Sequence, residues 1–148
     1  MTKLQNQEYT SKLQSLPSLC NWVRYHTPEN SVIFIEDLVN KKPFLDFNEN
    51  MTLSMAIKCF GQRATFADFA FPFNESYLIE WDKRLNYHRN FNLLTLDEFI
   101  SMCDSYSVTH LLRINHKNNI KNFPSIWKSE EFIIHEINQL KTIKQKLN

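Results

Sequence analysis

Asp68 stands inside the apolar run "TFADFAF", shortly after Arg63 and upstream of Arg84. A carboxylate is costly to bury unless a cation answers it, which makes those two arginines its candidate partners. Such a pair can lock a turn, because Arg–carboxylate bonds are strong and geometrically specific. It can also hold a charge ready for a ligand or for acid–base work. The first reading is favoured: "GQRATFAD" is a hinge in which Asp68 accepts from Arg63 or Arg84. Glu36 and Asp37 raise a related question, since they close the run "SVIFIED". Ligands of parallel sheets sit beyond the carboxyl ends of the strands, where these two acids and Asp68 fall. Trp81 reads as a residue packed between helix and sheet, ahead of a sugar-stacking platform. A hydrolase working through Asp68 or Glu80 ranks last.

Other chemistries find little support. His110 and His116 flank a strand end, but no further zinc ligands stand at usual spacing. Cys103 with His110 would lack a third, orienting group. There is no GxGxxG, GK[ST], HExxH or nucleophile elbow. No catalytic residue, metal or cofactor is therefore assigned. Cys20, Cys59 and Cys103 are widely separated and read as unpaired, small buried hydrophobes. Seventeen basic residues against sixteen acidic ones leave a net charge of +1, too little for a nucleic-acid partner. The basic tail "KTIKQKLN" reads as a solvated helix end. The opening residues carry no apolar core of a signal peptide, and no run approaches the roughly 18 apolar residues of a membrane span. Twelve Phe, five Tyr and three Trp exceed what a small core readily hides, which leaves a surplus for an interface.

The hydrophobic periods say what positions these groups. Leu19, Trp22, Val23 and His26 recur at helical spacing, with Pro17 in the first turn and Thr27-Pro28 as the stop. "VIFI" follows as a strand buried on both faces. After the polar loop "VNKKPFLDFNEN", a helix places Leu53, Ala56, Ile57 and Phe60 on one side. Gly61, the only glycine, is the expected left-handed cap that ends it. "ATFADFAF" is the second strand and "FPF" a turn. Asn74 then caps a helix with Tyr77, Leu78, Trp81 and Leu85 on its apolar side and Glu80–Arg84 as an i, i+4 pair. Thr95 and Glu98 form a capping box for a helix that buries Leu96, Phe99, Ile100 and Cys103. "VTHLLRI" and "FIIHEI" are the third and fourth strands. The loop between them lacks a helix, so the last strand is antiparallel. The alternation predicts one small α/β domain over residues 1–148, with 1–14 and 139–148 as frayed or helical termini. Its sheet is mainly parallel and four-stranded, near residues 32–36, 64–69, 109–114 and 132–137, and flanked by helices.

The order "WVRYHTPENSVIF", "FGQRATFADF", "FPF" and "EWDKR" resembles the C-terminal soluble domains of polytopic bacterial membrane proteins. Those proteins are similar to glycosyltransferases of the C superfold and their relatives. The resemblance covers Trp22 to Ile137 and carries over to Trp22, Thr27, Pro28, Arg63, Asp68, Trp81 and Arg84. It implies a non-catalytic domain linked to surface-glycan assembly, because the lipid-phosphate chemistry of such enzymes lies in loops between membrane spans. The implied partner is the membrane-embedded portion of a parent protein or another protein surface, at the extracytoplasmic face of the bacterial inner membrane. The alternative is a free-standing cytoplasmic α/β protein, complete as written, that binds a small ligand or a partner.

Overall fold

The computed structural model describes residues 3–36, 47–67, 74–115 and 123–147. Their order is α1 (Lys3–His26), β1 (Val32–Ile35), α2 (Phe47–Cys59), β2 (Ala64–Thr65), α3 (Glu75–Arg89), a 3-10 turn (Phe91–Leu93), α4 (Leu96–Ser105), β3 (His110–Ile114), β4 (Trp127–Lys128), β5 (Phe132–Glu136) and α5 (Ile137–Leu147). Among these residues one sheet runs β2-β1-β3-β5-β4. β1 is parallel to both β2 and β3, whereas β5 is antiparallel to β3 and β4 to β5. The α/β class and the antiparallel ending are as the sequence predicts. The sheet itself is five-stranded and only half parallel, not four-stranded and mainly parallel. The added strand, β4, pairs Trp127 with Ile134 and Lys128 with Ile133. Two residues are too few to leave a period in the sequence.

Side chains alternate across the strands, and this assigns the two faces. Phe34 of β1 points toward the segment after β2, the 3-10 turn and α4, with its ring 5.3 Å from Phe66, 5.4 Å from Phe91 and 5.4 Å from Phe99. Ile33 and Ile35 therefore point the other way, toward α1 and α2, where the Ser54 hydroxyl meets that of Thr65. Both faces of β1 are covered, so its run is continuously apolar.

Several local expectations change. α1 begins at Lys3 and passes through Pro17, which is interior rather than first-turn. The upstream Lys, Leu, Gln and Glu residues are good helix formers, and a proline forfeits one hydrogen bond without having to end the helix. α2 begins at Phe47, inside the segment read as loop. Phe60 is 69% exposed because it lies past the end of α2, where helical spacing no longer applies. Tyr77 is 68% exposed because α3 docks through its second half, at Leu85 and His88. Cys20 and Cys103 are buried, but Cys59, the last residue of α2, is exposed. Two caps form as read: the Asn74 side chain accepts from the Ser76 amide, and Thr95 and Glu98 complete a capping box.

Candidate functional site

Polar side chains gather at both ends of the sheet. At the amino ends of β1 and β2 the central residue is Arg63, buried to 7% exposure. Its Nε donates to Thr27 Oγ1 at 2.9 Å, and its Nη2 donates to the carbonyls of Arg24 at 2.7 Å and Thr27 at 2.6 Å. Nη1 donates to the Gln62 carbonyl at 2.8 Å. A helix leaves its last carbonyls unpaired, and its C-terminal end attracts a cation. Arg63 meets both needs of α1. The Thr27 hydroxyl also donates to the Val23 carbonyl at 2.6 Å, which closes the last turn. His110 and Glu136, opposite each other on β3 and β5, border this cluster. Burial lowers the His110 pKa, the Glu136 charge opposes that shift, and the Arg63 charge reinforces it.

Gly61 makes the arrangement possible, though not by a left-handed conformation. The positive φ belongs to the next residue, Gln62, at 51°. Gly61 is required by space: a Cβ there would stand 2.7 Å from the Ile57 carbonyl oxygen and 3.2 Å from Val23 Cγ1 of α1. The Gly61 amide reaches back to the Ala56 carbonyl and that of Arg63 to the Ile57 carbonyl. α2 thus ends against α1, Gln62 reverses the chain, and Arg63 enters the end of α1.

At the carboxyl ends stands the second cluster. Glu36, just past β1, accepts from Arg113 Nε and Nη2 of β3, both at 3.0 Å, in a bidentate pair whose side chains are 7% and 12% exposed. The strand order reverses here, because the chain leaves β1 for β2 on one side and returns as β3 on the other. Ligands of open α/β sheets bind at such a point. On the same face, His135 of β5 donates from Nδ1 to the Pro124 carbonyl, which leaves a buried Nε2 without a hydrogen-bond partner. Burial lowers its pKa, the Pro124 bond opposes the shift, and the Arg113 charge adds to it.

Arg84 does pair with Glu80 at 2.8 Å and also donates to the Phe66 carbonyl at 3.0 Å, its guanidinium lying over the Phe66 and Tyr106 rings. Trp81 is half-buried and packs against the core. Arg63 and Arg84 are not brought together: Arg63, just before β2, binds the end of α1, whereas Arg84 binds the Phe66 carbonyl just after β2. Asp37, Asp68, the "FPF" turn and His116 lie outside the described residues. Cys103 is a poor nucleophile, since burial, helped by the Asp104 charge, pushes its thiol up to about 12. Cys20 is raised by burial as well.

Sequence reasoning missed Arg113, His88 and His135. Arg113 could have been found as the arginine that follows the apolar pair Leu111-Leu112, as Glu36 follows the apolar run of β1. His88 follows Leu85 and Trp81 at helical spacing on the face that docks.

One family model matches residues 14–88, half of the chain, from the middle of α1 to the last turn of α3. Thr27, Glu36, Gly61, Arg63, Arg84 and His88 all fall within it. No curated protein and no solved structure matches the chain. The chain belongs to the DUF6798 family, described as a domain of unknown function.

Proposed function

We propose that this chain is a non-catalytic docking domain of a bacterial membrane protein concerned with surface-glycan assembly, working at the extracytoplasmic face of the inner membrane. The observation that carries this reading is the use made of Thr27, Arg63 and Arg84. These motif residues are engaged in tying the end of α1 and α3 to the β2 segment. A motif committed to framework in this way supports a domain that presents a surface, not one that turns over a substrate. The link to membranes and glycans rests on the resemblance of "WVRYHTP", "FGQR" and "EWDKR". Fractionation tests it: the tagged natural reading frame should sediment with bacterial membranes and resist a high-salt wash. Recovery entirely in the soluble fraction would contradict it.

A second reading, a free-standing ligand-binding protein, is favoured by one observation. Glu36 and Arg113 meet where the strand order reverses. Soluble recovery in the same fractionation would favour it.

A further inference from the structure

His88 occupies the docking face of α3 at 5% exposure, its ring stacked on Phe34 with centroids 4.2 Å apart and 5.5 Å from that of Phe66. A neutral imidazole has one donor and one acceptor. Here neither Nδ1 nor Nε2 has a hydrogen-bond partner. An apolar residue would fill this place without that penalty. Among the described residues of α3 only Leu85 and His88 are buried, with Trp81, Tyr87 and Arg84 half-buried beside them. The 3-10 turn that follows it buries none.

We propose that His88 is an acid-operated latch, and that its protonation releases α3 from the sheet while the rest of the core stays folded. The imidazolium would need two acceptors and a counter-charge, and the described surroundings offer the Ile35 carbonyl alone. β1 presents Phe34 and, beyond it, Glu36, which is already held by Arg113. The segment after β2 presents Phe66, and the 3-10 turn presents Phe91. α4 contributes Phe99; its acids are engaged elsewhere, Asp97 with Lys144, Glu98 with Thr95 and Asp104 with Lys141. On α3 itself, Arg84 and Arg89 are cations, paired with Glu80 and Asp82, and would repel a further positive charge. Elements held by few buried contacts open first, so the strain is relieved by local release. This inference stands apart from the membrane assignment, since it concerns a response of the fold and names no partner.

Nuclear magnetic resonance across pH 7 to 4.5 tests it, with the imidazole nitrogens and the backbone amides followed together. The amides of residues 75–89 should leave their native positions as the pH falls, while those of β1, β3 and β5 keep theirs. In His88→Phe the α3 amides should remain native down to the lowest pH. An alternative variant, His88→Leu, serves if Phe does not fold. The proposal is overturned if the α3 amides stay native down to pH 4.5, if the His88 ring protonates with them unmoved, if all amides are lost together, or if the variants release α3 at the parent's pH. The ring and amide signals of the parent decide the matter even without a folded variant.

Discussion

Arg63 and Thr27, 36 residues apart, are joined twice: the guanidinium donates to both the hydroxyl and the carbonyl of Thr27. The contact unites the two most distinctive stretches of the chain, "RYHTP" and "FGQR". The first ends α1, and the second ends α2 and begins β2. One cation fixes where these elements meet, and the apolar strand β1 follows directly from the stop it stabilises.

Gly61 should tolerate no side chain, because a Cβ would enter the backbone of α2. Gly61→Ala is expected to cost on the order of 1–3 kcal/mol by overpacking. Gln62→Gly should be neutral or stabilising, since Gln62 holds the left-handed conformation that costs an ordinary residue roughly 1 kcal/mol. Denaturant unfolding of both variants checks the pair. The opposite order of stabilities would show that the strain lies at Gly61 after all.

Breaking the Glu36–Arg113 pair from one side leaves the other charge buried and alone. Glu36→Gln or Arg113→Met should each destabilise by about 3–5 kcal/mol. The double variant Glu36→Leu/Arg113→Met should recover most of that loss. A single variant as stable as the parent would mean that the pair opens to water.

What the sequence disclosed follows from distance along the chain. The Thr95–Glu98 capping box and the Glu80–Arg84 pair lie within one helical turn, so spacing alone reveals them. Gly61 was legible as a helix stop, but its cause was not: the contact with Val23 exists only once α1 and α2 are packed. Glu36 and Arg113 are 77 residues apart, and nothing local sets their register. The strand after Gly61 was legible because it is apolar. β4 was not, because a two-residue edge strand takes its place from β5 rather than from its own residues.

Stability should fall steeply in mild acid. His88, His110 and His135 all have pKa values lowered by burial, His88 to about 3. The unfolded chain takes up protons near pH 6.5, where the folded one does not, so stability is full above that value and declines below it. His88 alone contributes a loss on the order of 4 kcal/mol between pH 6.5 and 3. Thermal unfolding at pH 7.5, 6 and 5 should show a falling midpoint. A midpoint unchanged from 7.5 to 5 would contradict the burial of neutral imidazoles.

The thiols should divide into two classes. Cys59 is exposed and should react with a disulfide reagent in the native protein. Cys20 and Cys103 should react only on unfolding, and three thiols should be counted in denaturant without reduction. Fast reaction of two or three thiols in the folded state would place a buried cysteine at the surface.

The most direct test of the account is a double-mutant cycle across Arg63 and Thr27, measured by equilibrium unfolding. If the motif is framework, Arg63→Ala should cost about 3 kcal/mol, because it strips a buried helix end of its donors and its cation. Arg63→Lys should restore only part of that, since an ammonium cannot reproduce the fork. Thr27→Ala should cost less in the Arg63→Ala background than in the parent, with a coupling of at least about 1 kcal/mol. An Arg63→Ala protein as stable as the parent, or a coupling near zero, would contradict the account and make Arg63 a residue kept for a ligand.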